Sequence, residues 1–336
     1  MNDVSLKQYV ILTIAILVIG GILFGSRFFG PQYDPQDEAY NASYWSYSIQ
    51  RSGAPSAYQE FLVRNSSTDS TRQHLAAHVF GEVLFKIEGE EGISVCDAQF
   101  GFGCYHGFFG RAISEGGVES IARLDAACVK THGTLGTGCQ HGVGHGILEY
   151  VGYDALDEAL ALCAETTQLT SRLGCTSGVF MEYNSPLAGI SDGLVPTTRA
   201  LDPLNLYEPC NEVEEKYKES CFHELGAWVL SHHADAARAG FCEGIEGRGR
   251  ESCFVGMGSA IAHKVGPYPT QGIEMCAMFG ENDMRSCRAG LSWGFFTVPE
   301  TRLHALEACG YTEETQKNAC LRLGDLTEGL DPTFPS

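Results

Sequence analysis

Residues 301–320, "TRLHALEACGYTEETQKNAC", contain the structural unit that decides the fold of this chain. A short helical run ends at Cys309, a polar turn follows, and a second helix is predicted to carry Cys320 near its start. Thr312 suits the cap of that second helix, and the two glutamates after it place negative charge in its first turn. A disulfide between the two cysteines would close one αα-hairpin.

The same unit recurs along the chain as seven cysteine pairs. Five pairs enclose ten residues, the others enclose seven and eleven, and the second cysteines of successive pairs lie 32 to 46 residues apart. The pairs are Cys96 and Cys104, Cys128 and Cys139, Cys163 and Cys175, Cys210 and Cys221, Cys242 and Cys253, Cys276 and Cys287, and Cys309 and Cys320. This period predicts an all-α array of about eight αα-hairpin repeats, which is either an open solenoid or a closed α/α toroid.

Zinc coordination is the alternative explanation for the cysteines. Structural zinc sites use closely spaced pairs such as C-x-x-C, and the chain contains no C-x-x-C. The repeated gaps fit local disulfides better, and each such bond should contribute about 3 kcal/mol through loop-closure entropy. Disulfides at this density persist in oxidising compartments, so the cysteine-bearing body is predicted to lie in the periplasm or the extracellular space.

The N-terminal segment at residues 8–26, "QYVILTIAILVIGGILFGS", contains no charge and is flanked by Lys7 and Arg27. At a rise of about 1.5 Å per residue, a helix of this length nearly crosses the ~30 Å apolar layer of a bilayer. A cleaved signal peptide is the alternative, but "GSRFFG" is a poor cleavage site. We predict an uncleaved signal-anchor, with residues 1–7 in the cytoplasm and a single-pass, extracytoplasmic body.

The body divides into a stalk and a repeat domain. Residues 27–70 contain scattered Pro, Ser and Asn without a clear period, which predicts a stalk leading to a first helix. Residues 71–330 form the predicted repeat domain, and residues 331–336 form a loose tail. At its start "RQHLAAHVFGE" (72–82) aligns with "CQHGVGHGILE" (139–149), with Arg in place of Cys. End repeats are commonly atypical, so this unit is predicted to be a cap without a disulfide.

The charge and the motifs exclude several classes of function. The chain has 42 acidic and 22 basic residues and a formal charge of −20, whereas nucleic-acid binding requires a basic footprint. The sequence contains no P-loop and no dinucleotide fingerprint. Every cysteine is committed to a pair, so nucleophilic catalysis by a thiol has no support.

Two of the predicted second helices carry the pattern H-x3-H-x3-E, whose three residues lie on one helix face. The residues are His74, His78 and Glu82 in the first helix, and His141, His145 and Glu149 in the second. Two imidazoles four residues apart can grip one metal ion. These donors suit zinc, copper or iron, with haem as a weaker alternative. Each glutamate is predicted to serve as a third ligand, a general base or a partner that orients a histidine.

Three more histidines lie on the same stripe of the aligned helices. His106 lies between the two motifs and is predicted to supply a ligand across the helix boundary, whereas His223 and His263 follow later in the chain. The remaining histidines fit ordinary structural roles; they are His132, His232, His233 and His304.

A glycine follows the second cysteine by three residues in five of the units: Gly107, Gly142, Gly178, Gly256 and Gly290. A glycine inside a helix costs about 0.5–1 kcal/mol relative to alanine, so its repetition needs a reason. Close packing of helices is the favoured explanation. Close approach of a ligand or cofactor to the helix backbone is the alternative.

These patterns predict a membrane-anchored extracytoplasmic protein with a histidine-lined site for a transition metal. Catalysis at that site would use Glu149 or Glu82 as the base. The alternative is a non-enzymatic repeat scaffold that binds a protein partner on its surface. A groove lined with exposed aromatic residues, without converging histidines, would favour the scaffold.

Overall fold

The computed structural model describes residues 30–37, 41–167, 170, 172–186, 198–233, 240–297, 299–310 and 314–323. Fourteen α-helices and no strands occur within these ranges, so the predicted all-α class is confirmed. The α-helices are α1 (Ala42–Ser52), α2 (Ala54–Asn65), α3 (Ser70–Glu88), α4 (Gly103–Gly116), α5 (Ile121–His132), α6 (Thr137–Val151), α7 (Leu156–Leu162), α8 (Cys175–Asn184), α9 (Lys218–His232), α10 (Gly247–Val265), α11 (Pro269–Cys276), α12 (Glu281–Thr297), α13 (Ala305–Ala308) and α14 (Glu314–Leu323). The 3₁₀-helices are Gly89–Val95, Val118–Ser120, Gly133–Gly136, Cys163–Glu165, Glu215–Tyr217, Phe241–Gly244 and Pro299–His304.

All seven predicted disulfides are present. The paired Cα atoms lie 5.5–6.0 Å apart, within the ordinary range for this bond. Each bond joins an element or turn to one of the first seven residues of the α-helix that follows it. No cysteine is free, so no thiolate remains for the zinc alternative.

The long helices pack one against the next in chain order. Helix α3 contacts α4, which contacts α6, and the series continues through α8, α9, α10, α12 and α14. Large aromatic side chains fill the core along this series and are almost completely buried: Phe80, Phe108, Phe180, Phe254 and Phe295. The elements and turns between these helices carry the first cysteine of each pair.

The repeated glycines lie where neighbouring long helices touch. A Cβ atom at Gly107 would stand 1.8 Å from the carbonyl oxygen of His78, and one at Gly290 would stand 1.8 Å from that of Val255. Gly178 and Gly256 meet a carbonyl of the preceding helix in the same way, whereas Gly142 lies against the Tyr105 and Phe109 side chains. The packing explanation of the glycine column is therefore confirmed.

The segment predicted as a stalk contains helices α1 and α2. Both helices contribute to the core, since Trp45 and Phe61 are fully buried and the Trp45 ring lies 5.6 Å from that of Phe80. Arg72, which stands in place of a cysteine, donates to the carbonyl oxygens of Pro35 and Asp37 at 3.0 and 3.3 Å. These hydrogen bonds tie the upstream segment to α3 where the later units use a disulfide.

The first helix of several predicted hairpins is shorter than the sequence suggested. Of "ADAARAGFC", residues 234–239 lie outside the described ranges, and Phe241–Gly244 is a 3₁₀-helix that follows Gly240 in the left-handed conformation. Near the C-terminus, α13 has only four residues. The segment before it is held by side chains, because Thr301 and Arg302 donate to the carbonyl oxygens that end α12.

The predicted anchor at residues 8–26 and the predicted tail at 331–336 lie outside the described ranges. Among the helices that are described, none combines the length and the apolar character needed to cross a bilayer. The boundaries of the stalk and repeat domain remain predictions.

Candidate metal centre

Five of the predicted ligands converge where α3, α4 and α6 pack together. They form two triads that share one histidine: the first triad is His74, His78 and His106, and the second triad is His106, His141 and His145. Within each triad, one ligand atom per histidine lies within 4.8 Å of the others. The convergence depends on the glycines, because Gly107 lets the backbone of α4 approach His78 on α3.

In the first triad, backbone and side-chain groups fix the ring of His74. Its Nδ1 lies 2.8 Å from the carbonyl oxygen of Phe100, which can only accept, so the proton resides on Nδ1 and the lone pair on Nε2. Phe100 has a φ of 53°, a strained conformation for a bulky residue. The His74 Nε2 lies 3.2 Å from the Nε2 of His78, which also lies 3.2 Å from the Nδ1 of His106.

In the second triad, two acceptors on neighbouring helices orient the rings. Nδ1 of His141 donates to the Ser177 hydroxyl at 2.9 Å, and that hydroxyl donates to Glu224. Nδ1 of His145 donates to the Glu182 carboxylate at 2.8 Å. Metal-binding histidines commonly use their second nitrogen in this way, which fixes the tautomer and leaves Nε2 free for an ion.

The two Nε2 atoms of His141 and His145 lie 3.0 Å apart. Since each ring carries its proton on Nδ1, neither Nε2 has a hydrogen to donate and two lone pairs face each other. Two nitrogens bound to one ion at about 2.0–2.1 Å are roughly 3 Å apart for ordinary coordination angles. The spacing therefore matches a pair of imidazoles that share a cation.

Burial keeps all five imidazoles in their neutral, metal-binding form. Desolvation by burial is the main reason why the pKa of His145 is lowered to about 3, and the charge of His74 lowers it further. Burial also lowers the pKa of each of the other four, and for His78, His106 and His141 the charges of neighbouring histidines lower it further. At neutral pH the nitrogen lone pairs are thus available to a cation.

Several site residues were not identified from the sequence. The Met181 sulfur lies 3.2 Å from the Nε2 of His141 and adds a thioether to the second triad. Met181 and Ser177 stand in the aligned columns that hold histidine in α3 and α6, which was the available signal. Glu182 lies one residue outside those columns, so only the packing of α8 on α6 identifies it.

The two predicted catalytic glutamates lie beside the triads but belong to neither. The Glu149 carboxylate occupies the space over Gly110, where a Cβ atom would lie 2.6 Å from its Oε2. Solvent reaches this carboxylate, yet the surrounding protein and then the charges of Glu182 and Glu82 raise its pKa to about 7. Glu82 is half-buried and lies 3.9 Å from the Lys86 ammonium group.

The structure places the other two predicted ligands outside the triads. His223 is buried on α9, where burial and then the charges of Arg172 and His141 lower its pKa to about 3, and its Nδ1 has no hydrogen-bond partner. His263 is exposed near the end of α10. His132, interpreted as structural, hydrogen-bonds through its ring to the hydroxyl of Tyr105 at 2.9 Å.

Comparisons of the chain with protein-family models, with curated proteins and with solved structures found no match. The fold and site together define a disulfide-rich, all-α chain whose buried histidine triads could hold a metal ion.

Proposed function

We propose that this chain binds a transition-metal ion at the second triad. The observation that carries the proposal is the pair of Nε2 lone pairs of His141 and His145, which face each other at 3.0 Å while both Nδ1 atoms donate elsewhere. Without a cation this arrangement is repulsive and buried. With a cation it becomes the ordinary geometry of two imidazole ligands, which favours metal binding over a purely structural role.

Copper is the metal that the donor set favours. The thioether of Met181 lies 3.2 Å from the His141 Nε2. A thioether is a soft ligand that suits Cu(I), and Cu(II) binds most tightly of the first-row divalent ions to a given nitrogen site. Haem is disfavoured, because the His106 and His145 rings stack with centroids 3.8 Å apart and leave no gap for a porphyrin between them.

A catalytic role would depend on Glu149 rather than on Glu82. A carboxyl group with a pKa of about 7 can accept and return a proton near neutral pH. A bound ion would lower the pKa of a coordinated water and so supply the group that Glu149 deprotonates. Glu82 is the weaker candidate, because its carboxylate lies 3.9 Å from the Lys86 ammonium group.

The architecture proposed around this site is a curved array of hairpin repeats. The disulfides between short elements and long helices support it, as does the packing of long helices in chain order. We further propose that residues 8–26 anchor this array at the outer face of a membrane, as the paired cysteines favour.

The proposal is tested by loading the full disulfide-bonded chain with Cu(I), Cu(II), Zn(II) and Fe(II), followed by elemental analysis and affinity measurements. We expect the tightest binding for copper, weakened by roughly 100-fold or more in a His141→Gln/His145→Gln variant. His304→Gln is the matched control, because this histidine lies outside both triads, beside the exposed Glu307 and the Phe295 ring.

Wild-type protein that stays metal-free after reconstitution would refute the proposal, as would affinity that the double substitution leaves unchanged. Metal-free protein that instead binds one defined protein partner would favour the scaffold function.

A further inference from the structure

His106 belongs to both triads and lies between the histidine pairs of α3 and α6. Its ring centroid is 5.2 and 5.1 Å from those of His74 and His78, and 5.5 and 3.8 Å from those of His141 and His145. Both flanking pairs carry Nε2 atoms at 3.0–3.2 Å from each other. Each pair thus offers the same two-imidazole grip beside one shared ring.

The two nitrogens of His106 have different surroundings. Nδ1 lies 3.2 Å from the Nε2 of His78 and so faces the first triad. Nε2 is buried and has no hydrogen-bond partner in the described structure. An orphaned ring nitrogen in a buried position is costly. A ligand for this atom would remove that cost.

We propose that the cluster holds two transition-metal ions, one in each triad, and that the imidazole of His106 bridges them through its two nitrogens. This inference rests on the proposed metal-binding function. The first ion takes the lone pair of the neutral ring. The second ion takes the place of the remaining N–H proton, which is released to solvent, so that the bridge is an imidazolate.

A single ion bound by all five histidines fits the geometry less well. Nitrogens around one ion lie within about 4.2 Å of each other, twice the ordinary metal–nitrogen distance. The ligand atoms instead separate into two triads, each compact to within 4.8 Å and joined only through His106.

Acidic groups around the cluster would offset the charge of two cations. Glu182 contacts His145 directly, and Glu224 reaches His141 through Ser177. Glu149 adds a third carboxyl group on the side of Gly110. Such carboxylates strengthen binding because the attraction between opposite charges is large where water is excluded.

The test is a titration of the full disulfide-bonded chain with Cu(II), followed by electron paramagnetic resonance and by the count of copper retained. We expect two ions per chain. The integrated signal should rise with the first equivalent and fall with the second, because an imidazolate bridge couples the two unpaired electrons. Denaturation in acid should restore the full signal of two separate Cu(II) ions.

Two variants test which histidines are responsible for the coupling between the two copper ions. A His74→Gln/His78→Gln variant should retain one ion with an uncoupled signal, since the second triad is intact. A His106→Gln variant should lose the coupling at every loading. His304→Gln, outside the cluster, should behave as the wild type, and melting curves of the metal-free variants establish that each one folds.

Each other outcome has one meaning. Retention of one ion, retention of two ions with additive signals, or a signal that acid fails to restore would overturn the bridge while leaving single-site binding intact. Retention of no metal in the wild type would overturn the proposed function itself.

Discussion

The long helices fall into an N-terminal group, α3 to α8, and a C-terminal group, α9 to α14, that share one framework but differ along one stripe. Both groups have disulfides near the helix starts and glycines at the helix contacts. In α3 and α6 the stripe carries paired histidines. In α10 and α12 the positions aligned with His141 hold Val255 and Ala289, which are buried in the core.

This difference shows that the glycines are required for helix packing, whereas the paired histidines are not. The helices of the C-terminal group pack through glycine without any histidine pair, so the packing does not require imidazoles. An apolar side chain at the same position satisfies the core more simply, because it leaves no polar nitrogen to be hydrogen-bonded. The histidines of the N-terminal group therefore need another explanation, and the proposed metal site offers one.

The largest expected effect is the loss of stability when a glycine at a helix contact is replaced by alanine. Gly107→Ala and Gly290→Ala should each destabilise the fold by about 3 kcal/mol or more, because each new Cβ would stand 1.8 Å from a backbone carbonyl. Chemical denaturation measures both. Gly280→Ala is the matched control, because its Cβ would meet only the Asp283 carboxylate at 3.6 Å. Equal stability of all three variants would show that the glycines do not set the helix spacing.

The next effect should distinguish the two groups of helices. The Cys128–Cys139 and Cys309–Cys320 bonds join cysteines with the same sequence separation of 11 residues. Removal of either bond by paired Cys→Ala substitutions should therefore lower the free energy of unfolding by about 3 kcal/mol. Only loss of the first bond should weaken copper binding, since Cys139 lies two residues before His141. Weakened binding in both variants would mean that the site depends on the whole array.

The third effect is the pH dependence of the metal-free protein. In the folded state the pKa of His145 and that of His223 are each lowered to about 3, and burial lowers those of the other four cluster histidines as well. The unfolded chain therefore binds more protons below about pH 6.5, and stability should fall as the pH falls from there toward 3. Each histidine contributes a slope of up to ~1.4 kcal/mol per pH unit.

Two carboxyl groups oppose this slope. The pKa of Glu224, raised by burial, and that of Glu149, raised by its surroundings and acidic neighbours, are both about 7, so they favour the folded state as the pH falls from 7 toward 4.5. Six histidines outweigh two carboxyls, and a His141→Gln/His145→Gln variant should show a shallower slope in urea denaturation at pH 7 and pH 5. The same change in stability between pH 7 and pH 5 in the wild type and the variant would contradict the lowered pKa values of His141 and His145.

Much of the framework could be predicted from the sequence. The regular cysteine spacing identified all seven disulfides, because a gap of seven to eleven residues allows few partners other than the neighbouring cysteine. The i, i+4 spacing identified His141 and His145, because the helix period alone fixes their common face. His106 was predicted as the added ligand because it lies on the helix between the two motifs.

Other features depend on tertiary contacts that no local pattern contains. Trp45 and Phe61 lie in a segment without a clear period, yet they are buried because α3 lies beside them. Glu182 contacts His145 only because α8 packs on α6 at that register. His223 and His263 lie on the predicted stripe but outside the triads, since the position of each helix decides which imidazoles meet.

The smallest effect tests the hydrogen-bond acceptors of the histidine rings in the N-terminal group. Glu182→Gln should weaken copper binding by about 10- to 100-fold with little loss of stability, as is typical when the partner of a metal-binding histidine is changed. The amide keeps the volume and one acceptor, but it removes the negative charge facing the His145 Nδ1–H, and it must also accommodate the Tyr153 hydroxyl.

Glu224→Gln should have a smaller effect, because Ser177 separates that carboxyl from His141. Glu307→Gln in the C-terminal group, where the exposed carboxylate meets only His304 among the described pairs, should change nothing. Equal affinities in all three variants would mean that the hydrogen bonds to Nδ1 do not position the ligands.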